Sequence, residues 1–500
     1  MNPFKRAKIL WCLLPFFCVY SSSALTTQSG FVFSQNCVDA EKNIKILKLE
    51  KAKTILELER VINPNNVAVD YLEDFIDFYF LITNQQIEEL HRLENAKDIR
   101  LNKIKKSNPN SPYFLYSQAE INLHWAFVRV INNEFVSAAL EFRTAYQLLK
   151  INDKKFPKFS PNKKSLGMLH AVLGTVPENY KWILNVIGMN GKFAEGLKNI
   201  KEFVDQKEYH QEWLLEKQSA EFYYNFLLLN FGDKNDCWKF CEKVTADFET
   251  NLFSTYLRAF TGIKCAHNDE AIFAISHSPK GIDFAKLDIM DYLLGKAKLN
   301  RLDKDADIYF KKFVTFYKGQ NLIKDAYKRL SWYNLLEGDT LKYRIYNSLA
   351  RRFGATTSDE DKNALKESES GILPDVILLK SRLLFDGGYY SNAEDVIKSH
   401  HKIFKTESQQ IEYYYRYARI MHGSNKIANA IDLYNKTINI SGNTMLYYAP
   451  NSCLQLGYIY EKLGYKEMAK SNFEKVLKYK NYEYKSGITQ EAKAGLSRLD

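Results

Sequence analysis

From residue 372 onward, small and apolar residues recur every three to four positions along helix-length stretches, and the arrangement then repeats. One unit reads Leu456-Gly457-x2-Tyr460, then Gly464, then Ala469-x3-Phe473. Leu456, Gly457 and Tyr460 share one face of a first helix, and Gly457 leaves room for a second helix to approach. Gly464 opens the turn, and Ala469 and Phe473 face back onto the first helix. The preceding units read Tyr417-Ala418-x2-Met421 with Ala430-x3-Tyr434, and Ser381-x2-Leu384 with Gly388, Tyr390 and Ala393-x3-Ile397. Their key alanines, 393, 430 and 469, stand 37 and 39 residues apart.

Upstream the pattern loosens. Tyr292-Leu293-Leu294-Gly295 followed by Ala306-x3-Phe310 is a further unit, one residue out of step. Residues 113–149 predict a long helix pair packed through Ala119, Trp125, Ala139 and Ala145. Residues 39–104 predict amphipathic helices broken at Asn63-Pro64-Asn65-Asn66. The polar stretch 356–371, with Asp359-Glu360-Asp361, reads as a loop between an irregular helical region, 25–355, and the regular units, 372–500.

The repeat length and its small and large positions resemble the tetratricopeptide repeat (TPR), whose period is about 34 residues. The resemblance implies an all-α solenoid, a right-handed superhelix of antiparallel helix pairs. Residues 156–200 stand apart, because Gly167, Gly174, Gly188, Gly191, Gly196 and Pro177 punctuate apolar helical text. Glycines so placed imply helices in very close contact. This segment resembles a family of eukaryotic TPR proteins implicated in clearing inclusion bodies, and related exported proteins of Bacteroidetes-type bacteria. The likeness continues through Gly354, Asp361-Lys362, Ala364 and Leu378-Leu379-x-Ser381-Arg382, spanning about 155–400. It implies a TPR superhelix without known catalysis.

An intracellular clearance role does not transfer, because the first 24 residues read as a secretory signal peptide. Lys5, Arg6 and Lys8 precede an apolar run from Ile9 to Tyr20, and Ser22 and Ala24 suit a peptidase that cuts after Ala24. The apolar run is shorter than the roughly 20 residues a span requires. The alternative reading is an anchor that is retained. After cleavage no transmembrane span is expected, and the chain is expected in the periplasm, the envelope or the medium.

Composition agrees. With 22 Gly and 11 Pro in 500 residues, the chain lacks the turn residues of an all-β fold. The formal charge of +11 includes three basic groups of the signal, and both signs are interspersed. That pattern describes a solvated helical surface, and neither a motif nor a block of charge points to nucleic acid. After the signal, five cysteines remain, too sparse for a disulfide framework.

Candidate chemistry is thin. Neither a phosphate loop, HExxH, GxSxG nor GxGxxG occurs, so no enzyme, metal or cofactor is expected. Cys237-x3-Cys241 reads as two small core residues sooner than a metal or redox pair. Asp303-x-Asp305-x-Asp307 lacks the glycine and glutamate of a calcium loop, having Ile308 and Val314 in their places. His170 reads as a core histidine and His400-His401 as surface residues. Lys154, Lys155, Lys158, Lys163 and Lys164 read as a solvated basic loop around two prolines.

The functional expectation comes from repeat geometry. First helices of TPR units line the concave side, and a 3–4–3 spacing selects the residues that face it. On three successive units this stripe comprises Asp375, Leu378, Arg382 and Phe385; Glu412, Tyr415, Arg419 and His422; and Asn451, Leu454, Tyr458 and Glu461. Arg382, Phe385, Tyr415, Arg419, His422, Tyr458 and Glu461 are the candidate partner-binding residues, since aromatics beside arginines dominate binding energy at interfaces. The stripe lacks the paired Lys and Asn with which some TPRs clamp a terminal carboxylate. A protein or peptide partner is the expected ligand. A glycan of a nutrient-uptake system is the alternative, and the chain's own helices are the competing occupant of the groove.

Overall fold

The computed structural model describes residues 30–175, 191–400, 404, 406–442 and 444–499. The signal peptide, its cleavage site, Pro177 and Gly188 lie outside them. The first part contains α1 (Gln35–Lys45), α2 (Leu49–Ile62), α3 (Ala68–Asn84), α4 (Ile87–Ile104), α5 (Tyr113–Ile131), α6 (Phe135–Lys155), α7 (Pro161–Gly174), α8 (Phe193–Val204) and α9 (Leu214–Phe231). The middle contains α10 (Lys234–Val244), α11 (Leu252–Lys264), α12 (Asn268–Ser276), α13 (Ile289–Asn300), α14 (Ala306–Phe316), α15 (Ile323–Leu336), α16 (Thr340–Arg352) and α17 (Asp359–Glu369). The last part contains α18 (Val376–Asp386), α19 (Tyr390–Lys398), α20 (Glu407–Gly423), α21 (Ile427–Ser441), α22 (Tyr448–Lys462), α23 (Lys466–Lys478) and α24 (Lys485–Leu499).

Consecutive helices pair antiparallel, giving a TPR-like solenoid. The hairpins share one turn. Leu47, Asn133, Ala266, Leu302, Gly338, Gly388, Asn425 and Gly464 each follow a first helix with φ between 59° and 87°. The next residue's N–H then donates to the carbonyl five positions back, from Lys48 to Asn43 through Tyr465 to Tyr460, at 2.8–2.9 Å. This is the Schellman turn, which satisfies carbonyls that the helix end would otherwise leave unpaired. Start signals are equally local. Asp375 caps α18 by accepting from the Ile377 and Leu378 amides, and Thr406 with Gln409 forms a capping box on α20.

Packing within a pair rests on small residues opposite rings. A Cβ at Gly457 would lie 2.4 Å from the Phe473 ring, and one at Gly295 would lie 3.1 Å from that of Phe310. Gly457 thus makes room for Phe473, which is fully buried together with Ala469. In the glycine-rich segment the approach is backbone to backbone: a Cβ at Gly196 would lie 2.4 Å from the Ala171 nitrogen. The expected packing residues Ala119, Trp125, Ala139 and Ala145 are all buried.

Two expectations are corrected. The stretch 356–371 is not a loop, because residues 359–369 form α17. Asp361, fully buried, accepts from the Leu322 amide at 2.6 Å and the Asp325 amide at 3.2 Å. It therefore caps α15 from another helix, which a reading of local polarity cannot show. The basic loop is also not a loop. Lys154 and Lys155 end α6, while Lys163 and Lys164 lie in α7. The Lys164 ammonium is wholly buried between Glu120 and Glu216.

The cores overlap along the chain, each sharing helices with the next. The last helix then returns to the first part. Ala494 of α24 joins the core that holds Phe193 and Phe231, and the Gln490 amide donates to the Thr175 carbonyl at 3.0 Å.

Candidate binding groove

First helices α18, α20 and α22 present their inner faces to a common cavity of about 530 Å³. Its walls are Arg382 and Asp386 of α18, Tyr415, Arg416 and Arg419 of α20, and Tyr447 and Asn451 at the start of α22. Helix α17 (Asp359, Lys362, Asn363) and the start of α24 (Tyr484 to Glu491) close it from the sides. The sequence stripe thus brings Arg382, Tyr415 and Arg419 to one surface, together with Arg416, which the 3–4–3 spacing passed over.

The arginines are held differently. Arg416 donates to Glu412 from two nitrogens at 3.0 and 3.1 Å. The Arg382 guanidinium lies 4.8 Å from the Trp332 ring centre, and its closest carboxylate, Asp386, is 4.0 Å away. Arg419 lies 4.8 Å over Phe385 and donates to the Tyr415 hydroxyl at 3.1 Å. Ring stacking orients both guanidiniums while leaving N–H donors free. Arg382 keeps 29% of its side chain exposed.

Other members of the stripe depart from expectation. Tyr415 is only 2% exposed, wedged against Tyr447 and Tyr448 at 5.6 and 5.0 Å between ring centres. It is a core residue whose rim reaches the cavity, so the expectation of a free groove side chain is corrected. Leu378 and Leu454 are likewise buried, because the inner helix faces also pack on each other. Phe385 serves as the platform under Arg419. His422 lies edge-on to Tyr434, and burial first, then Arg419 and Lys462, holds its pKa down at about 4.

Tyr458 and Glu461 do not face an open groove. Tyr458 donates to Glu491 at 3.0 Å, and Glu461 accepts from Arg498 at 2.7 and 2.8 Å. Helix α24 therefore occupies the inner face of the last unit. The return of α24 onto α8 and α9 that puts it there leaves no periodic signal in the sequence.

Farther along the inner wall, each first helix adds a cation: Lys264 of α11, Lys296 of α13 and Arg329 of α15. Lys264 pairs with Glu360 at 3.4 Å, and Arg329 bonds Asp325. Lys296 has its pKa lowered to about 8 by burial and by the nearby Arg329 and Lys264. Chiefly Lys264, then Lys296, hold the Glu360 carboxyl down at about 2 despite its burial. Sequence reasoning missed this ladder, although the 32- and 33-residue steps from Lys264 to Lys296 to Arg329 match the repeat period.

Elsewhere the titratable clusters are structural. Lys164 bonds Glu120 and Glu216, Glu216 accepts from the Tyr116 hydroxyl at 2.6 Å, and Tyr71 also bonds it. Desolvation would raise the Glu216 pKa, but Lys164 and the two tyrosines hold it below the ordinary carboxylate range. The cluster is sealed from solvent, so no substrate reaches it. Cys237 and Cys241 are buried core residues, as expected. His170 is half-buried, its ring 5.9 Å from Tyr146. His400 bonds the Val396 carbonyl, and His401 lies outside the described residues. Asp303 and Asp305 bind Arg301 and Lys298 in the α13–α14 turn. Among the described residues no group of His, Cys, Asp and Glu is arranged to hold a metal ion. No described helix is long and apolar enough to cross a membrane.

Residues 450–482, covering α22 and α23, match the tetratricopeptide-repeat family. Among solved structures the chain is similar to one described as the crystal structure of the APC/C hetero-tetramer Cut9-Hcn1. The identity is 15%, the match covers 89% of this chain and 86% of that chain, and the TM-score is 0.30. No curated protein matches the sequence. The matched unit and the repeated helix pairing define a TPR-like scaffold, an architecture that mediates contacts between proteins.

Proposed function

We propose that this protein is an exported, non-catalytic scaffold that holds a polypeptide partner along its concave face. The observation that carries this reading is the cavity where arginines held over aromatic rings and tyrosines from successive first helices converge. An open polar cavity with oriented donors suits recognition of an extended chain, whereas the buried ionisable groups elsewhere lack access to any substrate. Export rests on the signal-like first 24 residues. The glycine-punctuated segment, with α7 and α8 in backbone contact, supports the likeness to the exported relatives of the inclusion-clearance family. The tyrosine wall is the one feature that favours a glycan instead.

Affinity purification from envelope extracts with mass spectrometry, run beside a glycan array, tests the reading. A specific polypeptide that is lost on substituting Arg382 and Arg419 supports it. Selective glycan binding without such a polypeptide contradicts it.

A further inference from the structure

We propose that the concave face receives an acidic stretch of polypeptide, whose carboxylates seat on Arg382 and Arg419 in the cavity between α18, α20 and α24. This rests on the reading of the protein as a polypeptide-binding scaffold and names the chemistry of what it binds.

The fold leaves two arginines of the cavity without a close carboxylate hydrogen bond. Buried and interfacial arginines are ordinarily satisfied by carboxylates, and this chain does so at Arg416, bonded twice to Glu412, and at Arg498, bonded twice to Glu461. Arg419 has no carboxylate partner among the described residues, and Arg382 meets Asp386 only at 4.0 Å. Both are nonetheless held in place, each over an aromatic ring at 4.8 Å. A cation fixed by stacking and short of an acid is pre-organised for an incoming carboxylate.

The surroundings extend the same logic. The Tyr447 and Tyr484 hydroxyls meet no acceptor or donor among the described residues, and both line the cavity. Tyr484 holds a left-handed backbone, φ 59°, a conformation that costs a bulky residue energy and persists where the surroundings fix it. Lys296, which makes no ion pair of its own among the described residues, continues the positive wall beyond the cavity. Three carboxylates, Asp359, Asp386 and Glu491, line the cavity against five cations, Lys362, Arg382, Arg416, Arg419 and Lys485, so positive charge remains in excess. Asp359 is engaged by Lys362 and Glu491 by Tyr458, while Asp386 stands 4.0 Å from Arg382 without a hydrogen bond to it.

A polypeptide fits these observations better than a nucleic acid. Single-stranded nucleic acid requires exposed ring faces for base stacking. Here the rings are packed on one another, Tyr447 lying tilted against Tyr448 at 4.5 Å and meeting Tyr484 edge to face at 4.7 Å.

The test uses the full chain and a fluorescent, C-terminally amidated peptide of alternating glutamate and alanine. Its glutamine counterpart and an oligothymidylate of similar length are the other probes. The glutamate peptide is expected to bind about tenfold or more tightly than either, and to weaken as salt rises. Arg382→Gln with Arg419→Gln should reduce that binding about tenfold or more, while Arg382→Lys with Arg419→Lys should retain part of it. The salt response of the unsubstituted protein provides a readout that does not depend on how the variants fold. Equal binding of the two peptides, no binding of either, undiminished binding by the glutamine variant, or equal binding of the oligothymidylate would each overturn the proposal. If the glutamine variant still recovers the same polypeptide from envelope extracts, the scaffold reading stands and this inference falls.

Discussion

Tyr458 of α22 donates its hydroxyl to Glu491 of α24 at 3.0 Å, so the inner face of the last repeat is covered by the helix that follows it. Arg498 reinforces the arrangement, pairing with Glu461 through two nitrogens and also reaching the Phe231 carbonyl in α9. One side chain thereby ties the last helix both to the last repeat and to the end of α9.

Arg498→Ala should therefore loosen α24 selectively. Loss of a bidentate, partly buried charge pair costs roughly 1–3 kcal/mol. Hydrogen exchange should accelerate across residues 485–499 and stay unchanged in α13 to α16. Uniform acceleration would show that α24 is not a separately held element.

Gly457→Ala should destabilise the last repeat by roughly 1–3 kcal/mol, because the added methyl meets the Phe473 ring at 2.4 Å. Phe473 has little room to retreat, since Gly495 touches it from the other side. A denaturant midpoint unchanged within error would contradict this packing.

These two sites mark what the sequence could and could not show. Gly457, Gly464, Ala469 and Phe473 were legible because the turn residue is a glycine and the small and large positions alternate without a gap. Upstream the same Schellman turn is made by Leu47, Asn133, Ala266 and Leu302. Only Asn133 is a residue that favours a left-handed backbone, and Leu47, Ala266 and Leu302 give no such sign, so the sequence pattern blurs where the backbone does not. That Arg382 and Arg419 share one wall was legible since they occupy equal places in neighbouring units. Tyr415 and Tyr458 occupy equally regular places, yet one is consumed by core packing and the other by α24. Periodicity selects a helix face; it does not say what lies against that face. Asp361 was hidden for the same reason, its two backbone partners lying 39 and 36 residues away.

Ala266→Gly should raise stability by about 0.5–1 kcal/mol. A left-handed alanine pays about 1–2 kcal/mol in steric strain, partly offset by the chain entropy of glycine. A higher melting temperature is the expected result, and a lower one would show that the Ala266 methyl contributes more by packing than it costs in strain.

His422 should make stability fall in mild acid. Its folded pKa of about 4 lies below the ordinary value of 6.5, with burial the leading cause. Above 6.5 both states hold the neutral ring, and stability is unaffected. As pH falls from 6.5 toward 4 the unfolded chain takes up a proton that the folded chain refuses, and stability declines. His422→Gln should flatten the pH dependence across that window. An NMR titration midpoint near 6.5 for His422 in the folded protein would contradict the burial of its ring.

The most direct test of the account places a photo-crosslinking residue at Lys362, which lines the cavity, or at Ile308, which is 58% exposed on the second helix α14. Irradiation in the native cell should then yield a discrete polypeptide adduct from position 362 and none from position 308. Adducts from 308 alone, or equally from both, would contradict a partner held in the concave cavity.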